Sequence, residues 1–134
     1  MTFSPAEKDL LAEARRASLA TIDAHGRARL VPICFVLIDD VMWSPIDEKP
    51  KIVADPRALA RVRDIQARPA VTVLVDRWSE AWSELAWLRL VGRAEFVERG
   101  DLPVEIVPAL RAKYSQYRRH ALESRPMIKI TLEH

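Results

Sequence analysis

The run Ser18-Leu-Ala-Thr-Ile-Asp-Ala-His-Gly-Arg-Ala-Arg-Leu-Val-Pro-Ile-Cys-Phe-Val-Leu-Ile-Asp-Asp-Val-Met-Trp-Ser44 decides the fold class. Ser18 to Asp23 reads as a short strand, and Asp23-Ala24-His25-Gly26 is turn chemistry, with Gly26 free to take positive φ. Arg29 to Ile38 is a long β-rich run interrupted by Pro32. Proline has no N–H to give to a ladder, so that point must be an edge, a bulge or a gap facing a ligand. Asp39-Asp40 then turns the chain into a third strand, Val41 to Ser44. Three strands joined by short turns predict an antiparallel meander.

Upstream, Ser4-Pro5-Ala6-Glu7 is a helix start: Ser4 caps, Pro5 fits the first helical position and Glu7 completes a capping box. Leu10, Leu11 and Ala14 form the apolar stripe, and the helix should fade near Ala17. Downstream, two of the five lysines flank one proline in Lys49-Pro50-Lys51. A proline between cations keeps the backbone extended. The result is a stiff, doubly positive loop that suits a small phosphate or carboxylate, and equally suits a solvated connector.

Asp55-Pro56 repeats the cap-then-proline pattern. Leu59, Val62 and Ile65 give that helix an apolar face, Arg57, Arg61, Asp64 and Arg68 lie on another, and Pro69 stops it. Ala70 to Asp76 is a nearly all-apolar strand suited to a sheet centre. A loop from Arg77 to Glu84 carries Trp78 and Trp82. Leu85 to Glu98 is the longest strand, with Trp87, Arg89, Val91 and Arg93 on one face and Gly92 marking a bend or bulge. Leu102 to Tyr117 reads as a helix kinked or restarted at Pro108, and Met127 to Thr131 as a closing strand. Six strands with one helix between the third and fourth favour a closed or partly open antiparallel barrel over a βαβ fold.

Composition narrows the function classes. A chain of 134 residues, 49% hydrophobic and 30% charged, is one ordinary globular domain. A net charge of +2, evenly spread, does not describe a nucleic-acid surface. No apolar run approaches the ~20 residues of a membrane helix, and the N-terminus lacks the layout of a signal peptide. One cysteine excludes an internal disulfide, and cytoplasm is the natural compartment. Leu132-Glu133-His134 looks like the start of a cloning scar and histidine tag, which sets the expected domain at 1–131.

Few residues suit hydrolytic or metal chemistry. His25 sits in a turn, His120 in a polar segment and His134 in the expected tag, so no metal ligand set emerges. Cys34 has apolar neighbours and reads as a small buried hydrophobe. Asp39-Asp40 and Asp47-Glu48 fall at turns, and there is no Gly-rich phosphate loop. No catalytic residue is identified. What remains is an interrupted strand, Arg29 to Cys34, whose backbone could meet a flat ring; Lys49, Lys51 and Arg57 near a helix start; and Trp78, Trp82 and Trp87 with Arg89 beside them. Each has a packing explanation alone. Together they describe a site for a large, planar, phosphorylated molecule.

The run from Ser18 to Phe35 resembles the opening of the pyridoxamine 5'-phosphate oxidase-like flavin- and deazaflavin-binding proteins. Asp47-Glu-Lys-Pro-Lys51, Ala70-Val-Thr-Val-Leu-Val-Asp76, Trp82-Ser-Glu-Leu-Ala-Trp-Leu-Arg-Leu-Val-Gly-Arg-Ala94 and Arg111-Ala-Lys-Tyr-Ser-Gln-Tyr117 look like an actinobacterial subgroup of F420-dependent enzymes. The resemblance implies a six-stranded antiparallel split β-barrel that forms a homodimer with cofactor sites at the interface. It implies Val31, Pro32, Ile33 and Cys34 as the ring wall, Ser44 beside it, and Lys49 and Lys51, or Arg57, for the phosphate. Trp87 and Arg89 fall where a partner subunit reaches towards the cofactor. The oxidase's C-terminal substrate signature is absent, which argues against pyridoxamine phosphate as substrate. The implied function is a cytoplasmic oxidoreductase passing hydride between reduced F420, or FMN, and a small organic molecule, with no nucleic-acid or membrane partner. The alternative is a non-catalytic module that binds or stores a flavin, a deazaflavin or haem.

Overall fold

The computed structural model describes residues 2–46, 59–98, 100–119 and 121–133. Lys49, Lys51, Arg57 and the expected helix start at Asp55-Pro56 lie outside the described residues. Helix α1 (Pro5–Glu13) begins with the expected capping box: the Glu7 N–H donates to Ser4 Oγ at 3.1 Å and the Ser4 N–H to the Glu7 carboxylate at 2.7 Å. It ends at Glu13 rather than near Ala17, because Ala17 already pairs with Ile33 in the sheet.

The strands are β1 (Ala17–Ile22), β2 (Ala28–Ile33), β3 (Val36–Ile38), β4 (Val41–Pro45), β5 (Ala70–Arg77), β6 (Ala86–Val97) and β7 (Met127–Glu133). Helices α2 (Ala60–Ala67) and α3 (Ile106–Lys113) complete the described elements, with short 3-10 turns before β6 and after α3. The strands form one sheet in the order β2-β1-β5-β6-β7-β4-β3, all neighbours antiparallel. The mainly antiparallel architecture agrees with the sequence. The strand count does not: there are seven, because the run from Arg29 to Ile38 splits in two.

The split falls at Cys34-Phe35, not at Pro32. Pro32 pairs with Ser18 inside β2, a marginal strand, where a missing N–H costs the ladder little. Beyond the break, β3 lies at the opposite margin. The expected meander is therefore two separate hairpins, β1–β2 and β3–β4, with β5, β6 and β7 between them. The backbone at the break is served by one side chain. The Phe35 N–H donates to the Tyr114 hydroxyl at 3.1 Å, and that hydroxyl lies 3.2 Å from the Phe35 carbonyl and 3.1 Å from the Arg15 carbonyl.

Gly92 makes no bulge. The β5–β6 ladder runs unbroken from Ala70↔Arg93 to Arg77↔Ala86, and Gly92 pairs with both Val71 and Leu132. A Cβ at this position would lie 2.5 Å from the Thr131 carbonyl oxygen, so glycine is needed for the close approach of β7. Strand β7 continues past Thr131; Leu132 is buried, and its N–H donates to the Asp40 carbonyl at 3.1 Å. Pro108 does not kink a helix either. It sits in the first turn of α3, where no intrahelical partner is needed for an N–H, and the expected Leu102–Tyr117 helix is shortened accordingly.

Two cores result. The main one lies on the inner face of the sheet, where Leu19, Met42, Val73 and Ile130 meet Leu10 and Leu11 of α1 and Val62 and Ile65 of α2. The second lies outside β3, β4 and β7, where Val36, Trp43 and Met127 are covered by Leu110 and Tyr114 of the α3 region and by Tyr117. Strand β4 is thus buried on both faces, Met42 in one core and Trp43 in the other. Strand β5 lies inside the sheet as expected, between β1 and β6, but is buried on one face only: Val71, Val73 and Val75 are buried while Leu74 is exposed.

Candidate cofactor-binding face

Among the described residues, none covers the outer surface of β2, β1, β5 and β6. Alternation along each strand sends every second residue outward, and the ladder registers align them in rows. One row runs Pro32–Ser18–Leu74–Arg89, and the next Leu30–Ala20–Thr72–Val91. Three strand spacings separate Pro32 from Arg89, about 14 Å. Trp87 lies opposite Asp76 beyond the first row. Leu30 is 69% exposed, Trp87 66%, Val91 42% and Leu74 39%. Trp78 and Trp82, in the β5–β6 connection, are also exposed.

The residues expected around a cofactor separate into three groups. Pro32, Trp87 and Arg89 share the outer face. Ile33 is buried in the main core with Val31 packed against that core, and Cys34 is half-buried against the second core. Ser44 is buried on β4, paired with Ile128 and next to Trp43. Within a single chain, Ile33 and Ser44 therefore do not reach the surface that carries Pro32 and Arg89. Lys49, Lys51 and Arg57 lie outside the described residues. Strand β2 adds something beyond its side chains: on its marginal side, alternate backbone N–H and C=O groups point away from β1 and can meet a ligand.

Behind this face lies a half-buried ion pair. Asp64 was expected on a face of α2 apart from the apolar one, with Arg57, Arg61 and Arg68, yet it is 4% exposed. Thr21 Oγ1 donates to its carboxylate at 2.7 Å and Arg29 Nε at 2.8 Å. Burial pushes the Asp64 carboxyl up, but the hydrogen bonds from Thr21 and Arg29 and the charges of Arg29 and Arg68 outweigh it and hold the group below the usual aspartate range. The pair fastens α2 to β1 and β2, and so fixes the two outermost strands of the bare face.

A second cluster was named by the Arg111–Tyr117 segment but given no role. Lys113 is half-buried, its ammonium 3.7 Å from the centre of the Phe35 ring and donating to the Leu11 carbonyl at 3.1 Å. Burial, helped by Arg15, pulls its pKa down from 10.5 to about 8. The Arg15 guanidinium lies 4.8 Å above the Tyr114 ring and donates to the Lys113 carbonyl at 2.7 Å. These contacts tie α1 to the end of α3 beside the β2–β3 break.

No helix among the described residues is long and apolar enough to cross a membrane. The fold has solved counterparts, all of low identity. A conserved hypothetical protein of Mycobacterium tuberculosis, Rv2991, matches with a TM-score of 0.75 and 18% identity, over 100% of this chain and 83% of that one. HutZ, the haem storage protein of Vibrio cholerae, matches with a TM-score of 0.72 and 18% identity, over 100% and 92%. HupZ of group A Streptococcus matches with a TM-score of 0.67 and 20% identity, over 98% and 90%. No curated protein matches by sequence. The model of the pyridoxamine 5'-phosphate oxidase family matches residues 3–134. Matched from one end to the other, with a sheet of the split-barrel class, the chain belongs to the pyridoxamine 5'-phosphate oxidase family.

Proposed function

We propose that the protein is a homodimeric oxidoreductase that holds reduced F420, or FMN, at the bare outer face and passes hydride between it and a small organic molecule. The observation that carries this reading is the uncovered row Pro32–Ser18–Leu74–Arg89 with Trp87 beside it, in a chain of this family. The group fits this surface in part. Pro32, Trp87 and the free side of β2 offer a flat wall and hydrogen-bonding groups, and Arg89 offers a cation, while Ile33 and Ser44 are turned elsewhere. A second copy laid on Leu30, Leu74 and Val91 closes the remaining side and excludes water. The cofactor, when bound, supplies the hydride chemistry. The residues of the face bind and orient its ring, and Arg89 faces its negative edge. Lys49 and Lys51, in the segment leading to α2, bind the phosphate.

Titration of the purified protein with F420 and with FMN, followed by fluorescence quenching or calorimetry, tests this. One of the two is expected to bind, and replacing Lys49 and Lys51 with Ala is expected to weaken that binding by about 10–100-fold, since each charge-assisted contact contributes ~1.5–3 kcal/mol. Absence of binding to both overturns the reading. The likeness to HutZ favours a second possibility, a haem-holding module without turnover. A Soret band on adding haemin, with bound reduced F420 or FMN failing to pass hydride to any acceptor in stopped flow, selects that alternative.

A further inference from the structure

A cavity of about 920 Å³ opens between α1, β3 and α3. Its size is that of a small-molecule site, and none of the residues of the bare face lines it. Phe3 and Leu11 on one side, Val36 and Leu37 on another, and Ala109 and Ala112 on the third give it an apolar lining. Lys8, Arg15 and Lys113 enter the same wall. Arg15 and Lys113 are close enough for the Arg15 charge to disfavour protonation of the lysine. Each is held in place: Lys113 by the Leu11 carbonyl and the Phe35 ring, Arg15 by the Lys113 carbonyl and the Tyr114 ring. Among the described residues, neither has a carboxylate within ion-pair distance.

Two like charges fixed side by side, Lys113 half-buried and Arg15 exposed, with no carboxylate within ion-pair distance among the described residues, are a cost that a bound anion removes. We propose that this groove is a second binding site, for a small apolar carboxylic acid whose carboxylate lies between Arg15 and Lys113 and whose hydrocarbon part lies on Phe3, Leu11, Val36 and Ala112. The acids that share the groove, Asp39 and Asp40, sit on the β3–β4 turn, and they set the direction. They repel the carboxylate from that end and leave the α1–α3 end to receive it.

The assignment carries a linkage. Around Lys113 are Lys8 from α1, Arg15 just after α1, Asp39 and Asp40 from the β3–β4 turn, Cys34 at the β2–β3 break, and Tyr114 next to it in the chain. An anion beside it favours its charged form, so binding takes up a proton where the free lysine is partly neutral, and affinity falls once the lysine is neutral.

Octanoate is the probe, with octanamide as its uncharged counterpart and inorganic phosphate as an anion without a tail. Calorimetry on the full chain is expected to show octanoate binding at least tenfold tighter than octanamide or phosphate at pH 7. Its affinity should fall at least fivefold by pH 9.5, with proton uptake near pH 8. Lys113→Gln and, independently, Arg15→Gln should each lose most of that preference while a thermal melt shows the protein folded. Equal binding of octanoate and octanamide, no octanoate binding, or an unchanged preference in both folded variants overturns the proposal.

Discussion

The outside of the sheet has two halves built from strands of similar composition. Over β7, β4 and β3, helix α3 and the turns after it bury Val36, Trp43 and Met127 completely enough to make a second core. Over β2, β1, β5 and β6 nothing from the described chain intervenes, and Leu30, Leu74, Trp87 and Val91 stand in the open. One half is covered within the chain, and the other has no described residue over it. The difference separates buried from exposed apolar side chains: those of the covered half stabilise the fold, and those of the bare half contribute little to it.

Leu110→Ala on the covered half should produce the largest effect, a loss of about 2–5 kcal/mol in urea unfolding, because Leu110 is fully buried. Leu74→Ser on the bare half should leave monomer stability within ~0.5 kcal/mol while raising the dissociation constant of any dimer by about 10–100-fold in analytical ultracentrifugation. Equal destabilisation by the two substitutions would break the comparison.

Asp64→Asn sharpens it from the inside. Strands β1 and β2 have no outer helix, so the buried Asp64–Arg29–Thr21 contacts should matter to them, at about 1.5–3 kcal/mol. The folded-state pKa of Asp64 lies below its unfolded value, so its contribution is complete above the ordinary carboxylate range and fades as pH falls through the folded pKa. Unfolding midpoints measured from pH 7 down to about pH 2 should therefore converge for the native protein and the Asn variant at the acid end.

Lys113→Met should give a change visible mainly as a slope against pH. The folded lysine titrates near 8 and the unfolded one near 10.5. Between those values the unfolded chain binds more protons, so the native protein should gain stability with rising pH. The Met variant should lack that gain, read as the difference between the two proteins so that other titrating groups cancel.

Most elements were legible because their signals are local. The Ser4–Glu7 capping box, the Asp23–Gly26 turn and the stop at Pro69 each depend on neighbours within a few residues. The misreadings came from partners far along the chain. Asp64 carries the spacing of a residue apart from the apolar face, and only Thr21 and Arg29, 43 and 35 residues away, make it an interior one. The break at Cys34-Phe35 depends on Tyr114, 79 residues later, while Pro32 drew attention by its chemistry. Leu74 reads as one more residue of a nearly all-apolar strand, and only the alternation of burial along β5 shows that it is exposed. Of the expected cofactor residues, Pro32, Trp87 and Arg89 came together on one surface because alternation in strands is itself a local rule.

The place of β7 has a consequence for how the chain is made. It follows every other strand in sequence, yet it lies between β6 and β4 and is the sole link between the β2-β1-β5-β6 block and the β4-β3 hairpin. During synthesis those two pieces can form their own local pairings but cannot join, and the edges of β6 and β4 stay open until Met127 to Glu133 has left the ribosome. The seam of the sheet is therefore its last-made part. A nascent chain of this kind carries two unpaired edges from the completion of β6 until β7 arrives, and its risk of pairing with a neighbouring chain is greatest in that interval.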